Sequence, residues 1–119
     1  MRVTTVRALA VAISALVVVS CAGGSGTEDL TGAELFVEVG CQACHGEVDS
    51  EIAPTLHGIW GSDVELQDGR TVTVDEAYVQ RSIADPGADV VSGFDARMPT
   101  FSLTDTEVER LVDYVRSLG

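Results

Sequence analysis

Five consecutive residues restrict this chain more than any others: Cys41-Gln42-Ala43-Cys44-His45. Two thiols at this spacing can close a redox disulfide or supply half of a zinc site. They can also add to the two vinyl groups along one edge of a porphyrin, with the adjacent imidazole projecting under the ring towards iron. Zinc would need two more soft ligands, and the remaining cysteine and histidine are Cys21 and His57. A thiol switch would sit within a thioredoxin-like pattern of strands and helices, and none surrounds these residues. The spacing together with its histidine therefore predicts one covalent haem c on Cys41 and Cys44, with His45 as an axial ligand of iron. A chain carrying that pattern is expected to fold around its cofactor.

The chain has 119 residues, enough for one small domain. Its first 20 residues read as something else. Arg2 and Arg7 precede an apolar run from Ala8 to Val19 that only Ser14 interrupts. About 20 apolar residues are needed to span hydrocarbon, so the run has the layout of an export signal instead. It closes on Val18-Val19-Ser20-Cys21, which resembles a bacterial lipoprotein signal with Cys21 as the lipid acceptor. An ordinary signal or an uncleaved anchor is the competing reading. The expected organisation is a signal peptide over 1–20, a lipidated cysteine and flexible tether over 21–30, and a folded domain over 31–119. Ala22-Gly23-Gly24-Ser25-Gly26-Thr27 has the composition of a flexible coil. These features place the domain outside the cytoplasm, anchored to a membrane on its periplasmic or cell-surface side.

All 19 acidic residues lie beyond residue 20, with five arginines and no lysine, so the formal charge of that part is 5 − 19 = −14. Such a balance makes nucleic acid and anionic lipid poor partners and a basic protein surface a suitable one, unless the charge serves only solvation.

Four segments stand out along the domain. The first runs from Thr31 to about His45, with Thr31 and Glu34 at capping-box spacing and Leu35, Phe36 and Val39 on one helical face. The second places Asp68-Gly69 between Val64–Gln67 and Arg70–Thr73, a hairpin signal. In the third, Thr73 and Glu76 repeat the capping spacing. Ala77, Tyr78, Ile83 and Ala84 then supply a buried stripe until Pro86-Gly87 stops the helix. The fourth begins at Thr104 with Glu107, and Val108, Leu111, Val112 and Val115 follow at amphipathic spacing. The fold class is all-α: three to five helices around one haem, with a small β-hairpin inserted. So much loop around so few helices leaves a small core, to which a buried cofactor would add.

Beyond the initiator, Met98 is the only methionine. A lone methionine is ordinarily core filler, but this one sits in a loop rich in Gly, Asp and Pro, just before Pro99. It is the candidate sixth ligand of iron. His57 competes but follows the attachment motif too soon to reach the other haem face easily. His/Met ligation closes the iron to small ligands, whereas a haem enzyme or gas sensor leaves the sixth position open. Trp60 and Arg70 are candidates for contact with the haem propionates, or else plain core and a hairpin charge.

The stretch from Gly32 to Leu118 resembles a class I cytochrome c. It is most similar to the cytochrome c domain fused to subunit II of some bacterial cytochrome c oxidases. The matching residues are Gly32 and Phe36, Gly40 to His45, Ala53-Pro54-Thr55-Leu56-His57-Gly58, and the Asp68-Gly69-Arg70 hairpin. They continue through Tyr78, Ser82-Ile83 and Pro86, Met98-Pro99 with Phe101, and Leu111 with Tyr114. The resemblance implies that Pro54 offers its carbonyl to His45, and that His57 is not a ligand. It also implies that Gly32, Phe36, Leu111 and Tyr114 form the crossing of the first and last helices. No copper-binding domain and no pair of membrane-spanning helices accompanies these motifs. The implied protein is therefore an electron carrier rather than an enzyme, serving membrane-associated respiratory redox proteins, to or within a terminal oxidase.

Overall fold

Each helix starts where a side chain satisfies backbone amides that have no partner within the helix. A computed structural model describes residues 26–94 and 98–119 of the chain. Within it, α1 spans Gly32–Glu38, α2 spans Glu76–Ala84 and α3 spans Asp105–Ser117. Thr31 accepts from the Glu34 amide while the Glu34 carboxylate accepts from the Thr31 amide at 2.9 Å. Thr104 and Glu107 close the same reciprocal box at the head of α3.

The start of α2 differs from the sequence expectation. Asp75, not Thr73, caps it, accepting from the Tyr78 amide at 2.8 Å. Thr73 belongs to a strand, and its hydroxyl donates to Asp63 across the pair. Val74 explains the delay. It is buried, and its extended backbone donates to Ser62 O and accepts from Gly61 N–H, both at 2.8 Å. The helix cannot begin until that pairing is complete. The buried face of α2 is consequently Tyr78 and Val79 with Ile83 partly covered, while Ala77 and Ala84 are exposed. Asp85 leaves the helix at φ −135° and ψ 80°, outside the α region that is disfavoured for a residue before proline.

Strands β1 (Asp63–Glu65) and β2 (Thr71–Thr73) pair antiparallel with Val64 opposite Val72. The predicted hairpin is present, with a longer turn than Asp68-Gly69 alone. Gly69 N–H donates to Leu66 O, Leu66 N–H donates to Arg70 O, and Gly69 takes φ 85°. This is a three-residue loop closed by a left-handed glycine. The hairpin in turn holds the chain after α2. Leu66 bridges Val91, Gln67 N–H donates to Val90 O, and Ser92 N–H donates to Glu65 O. A two-stranded ribbon is marginal alone, and here it serves as a brace.

Helices α1 and α3 cross at Gly32. A Cβ there would lie 2.2 Å from the Arg110 carbonyl oxygen, so only hydrogen fits. Phe36 and Tyr114 meet beside the crossing with ring centroids 5.2 Å apart and planes tilted by 56°. Leu35, Phe36 and Leu111 form one buried cluster. Leu66, Val74, Tyr78, Val79, Val112 and Val115 form the other, joining α2, the hairpin and α3. Leu56 and Ile83 pack against both.

The part of the expected tether that is described does not behave as free coil. Thr27–Asp29 form a 3-10 turn. The Thr27 hydroxyl donates to the buried carboxylate of Glu107, and Arg110 donates to the Thr27, Glu28 and Leu30 carbonyls. Cys21 and the signal over 1–20 lie outside the described residues. Among the described residues, no helix is long and apolar enough to cross a membrane.

Candidate cofactor cleft

The attachment motif begins where α1 stops. Gly40 takes φ 89°, a left-handed conformation that costs glycine little, and ends the helix with its N–H on Val37 O. Cys41–Ala43 then form a 3-10 turn, and the His45 amide donates to Cys41 O at 2.9 Å. This tight winding brings both thiols and the imidazole to one place. Cys41, Cys44 and His45 are all half-buried, and neither thiol is in a disulfide. Burial pushes the Cys41 thiol above its ordinary range.

His45 Nδ1 lies 2.9 Å from the Pro54 carbonyl oxygen. A carbonyl can only accept, so Nδ1 carries the proton and the Nε2 lone pair is left free to bind a metal. The loop that presents Pro54 is bonded throughout. Ser50 Oγ accepts from the Ile52 and Ala53 amides, Asp49 Oδ1 accepts from the Thr55 amide at 2.8 Å, and Thr55 Oγ1 donates to Gly46 O. Polar bonds therefore aim the ring from outside, as they commonly do around metal-binding histidines.

These residues open into a cleft of about 1290 Å³, part of it open to solvent. Phe36, Leu56 and Ile59 form one wall, and Val74, Tyr78, Val79 and Ile83 of the β2–α2 region form another. Val91, Phe94, Met98 and Phe101, from the long connection between α2 and α3, face the same space. Polar atoms are few. Among the described residues, the Ser82 hydroxyl is buried with no hydrogen-bond partner, and Asp89 is the one carboxylate lining the cleft. Burial pushes the Tyr78 phenol above its usual range. Among the described residues no cluster of three or more His, Cys, Asp or Glu could hold a bare metal ion. An apolar slot with two unpaired thiols, a free imidazole nitrogen and an unpartnered buried hydroxyl fits a flat, covalently attached macrocycle with polar substituents.

Cys41, Cys44, His45 and Met98 are thus brought to one cleft, whereas His57 is exposed and does not line it. Trp60 packs against the core beneath the Arg116 guanidinium, 4.8 Å from its ring centroid. Arg70 is committed to Asp68 and Asp89, and neither Trp60 nor Arg70 faces the cleft. Sequence reasoning passed over Asp49 and Ser50 and gave Thr55 no role of its own. The adjacent Asp49-Ser50 pair was a readable turn signal. Asp89 and Ser82 had no comparable signal, since their importance depends on what lies across from them.

A search of curated proteins finds no match to this chain. A family model described as cytochrome c matches residues 30–119, which take in all three α-helices, the hairpin and the whole cleft. With that match over most of its length, the chain belongs to the cytochrome c family.

Proposed function

We propose that this protein is a monohaem electron carrier in which Cys41 and Cys44 hold the haem by thioethers and His45 and Met98 are the axial ligands of iron. Family membership carries covalently bound haem c and one-electron transfer between redox proteins as the general function. When bound, the haem supplies the ferric–ferrous couple. The single observation behind the residue assignment is the His45–Pro54 bond, made within an apolar cleft that also contains both thiols and Met98. Pro54 fixes the tautomer of His45 and raises the donor strength of Nε2. Met98 would offer the iron a soft thioether, a ligand that favours the ferrous state. The apolar walls exclude water from the metal, which limits reorganisation when an electron arrives.

The finer reading follows from the sequence motifs. The protein acts beside a respiratory complex, as the oxidase-linked cytochrome c domains that it resembles do. Cys21 carries a lipid that keeps it at the outer face of a membrane. With −14 from 5 − 19 and no lysine beyond residue 20, docking is steered by basic residues on the partner and weakens as salt shortens the screening length to about 8 Å. Membrane fractionation of Cys21→Ser tests the anchor, since unchanged association and precursor size would rule out lipidation. The principal test is Met98→Ala in the holoprotein. Loss of the sulfur-to-iron absorption band, new carbon monoxide binding and a lower potential are expected. Ready carbon monoxide binding by the wild type would instead assign an open-site haem protein.

A further inference from the structure

The lining of the cleft is apolar apart from a small polar group, and within that group Asp89 stands out. Its side chain is 2 % exposed, yet it carries a carboxylate. Desolvating a charge is costly unless partners compensate. Here Arg70 Nη2 donates to one carboxylate oxygen at 2.8 Å, and Arg81 Nε donates to the other. Arg70 also donates to Asp68 at 2.7 Å through Nε. Arg81 comes from α2, Arg70 and Asp68 from the hairpin, and Asp89 from the connection that follows α2. Three separate parts of the chain therefore converge on one buried carboxylate. Burial pushes Asp89 upward, but hydrogen bonds and charge from Arg81 and Arg70 outweigh it and hold the group below the usual carboxylate range. It is ionised at neutral pH. Among the described residues, two carboxylates and two guanidiniums make up this cluster, so their charges cancel.

We propose that Asp89, held between Arg70 and Arg81 on the cleft wall, sets the reduction potential of the bound cofactor by keeping this cluster electrically neutral. The inference rests on the electron-carrier reading above and names a residue that acts on the metal through the field rather than by contact. Accepting one electron from a donor lowers the charge within the cleft by one unit. A fixed negative charge on the wall opposes that step, and a fixed positive charge assists it. Without Asp89 the two guanidiniums would outweigh Asp68 by one unit, favouring the reduced state. The position of Asp89 makes its charge matter more than the many surface acids, because solvent and salt screen those far more strongly. A merely structural ion pair would not predict a sign.

The test is a potentiometric titration of purified holoprotein with redox mediator dyes, alongside its visible spectrum. A haem stain of denatured wild type comes first, since a negative stain overturns the electron-carrier reading itself and leaves nothing to titrate. Given covalent haem, Asp89→Asn should raise the midpoint potential and Arg70→Gln should lower it. The axial-ligand absorption should be unchanged in both. Opposite shifts with unaltered ligation support the proposal. Any other pattern, including equal potentials or shifts of one sign, overturns it. If Asp89→Asn yields no holoprotein, Arg70→Gln decides alone. That side chain is 53 % exposed and its loss leaves Arg81 on Asp89. A fall relative to wild type then supports the proposal, and no change or a rise overturns it.

Discussion

Two faces of α3 are completed by different means. On the side of α1, the protein finishes its own packing. Gly32 lets the helices approach until backbone meets backbone at Arg110, and Leu35, Phe36, Leu111 and Tyr114 fill the space. On the other side, Val115 borders a cleft that Met98, Phe101 and the walls of α2 also line, and Phe36 and Leu111 reach it from the crossing. The first region has bonding and packing partners within the chain. In the second, the side chains of the described residues form apolar walls around a cleft. Such a wall gains its full burial only when something flat and apolar enters. Stability and function are therefore linked on one side of α3 and separable on the other.

The largest effect should come from removing the attachment residues. Cys41→Ala with Cys44→Ala should abolish covalent haem and leave a poorly folded chain. Each large apolar side chain that loses full burial forfeits about 1.5–3 kcal/mol, and several line the cleft, whereas a small domain has only about 5 kcal/mol to lose. Haem staining and far-ultraviolet circular dichroism measure the two losses separately. A thiol-free variant that folds as well as the wild type would erase the distinction between the two faces.

A smaller effect is expected at the crossing. Gly32→Ala places a methyl group against the Arg110 carbonyl, at 2.2 Å before relaxation. The helices must separate, at a cost of about 1–3 kcal/mol typical of overpacking. The visible spectrum should change little, because Gly32 itself does not line the cleft, which the crossing reaches only through Phe36 and Leu111. Urea denaturation followed by absorbance and by circular dichroism checks both halves. An altered axial-ligand spectrum would mean that the faces are coupled.

The smallest effect concerns the anchor of residues 27–30 on α3. The Thr27 hydroxyl, followed by the Thr104 amide and hydroxyl, holds the Glu107 carboxyl below its ordinary value of 4.5. A depressed folded-state value means that the contribution is present above about pH 4.5 and is lost as pH falls through the folded value. Glu107→Gln should lower the melting temperature at neutral pH and flatten its decline in acid. Its potential should match that of the wild type. Thermal melts of both proteins across that range decide it, and parallel pH profiles would show that Glu107 is not the titrating group.

Much of this architecture was legible in the residues. Two of the three predicted capping boxes close as read, at Thr31 with Glu34 and at Thr104 with Glu107. The third did not, because Val74 is drawn into pairing with Ser62 and Gly61 and moves the cap to Asp75. That competition is long-range and invisible to a spacing rule. The α2 stripe was misassigned at Ala77 and Ala84 for a related reason. Their faces depend on where the hairpin and α3 press against the helix.

The chain by itself determined the attachment motif and the starts of α1 and α3, because each depends on neighbours only a few residues away. Cys41, Cys44 and His45 need one turn of backbone to come together, and a capping box needs three residues. The resemblance implied the Pro54–His45 bond and kept His57 from the iron, but only the tertiary structure decided that Arg70 turns from the cleft to Asp89. Those arrangements are made by segments whose local patterns allow many paths. The brace of the hairpin against Val90 and Val91 selects one of them. A buried charge such as Asp89 is stable only where that path delivers two guanidiniums to it, and no short stretch of sequence contains all three.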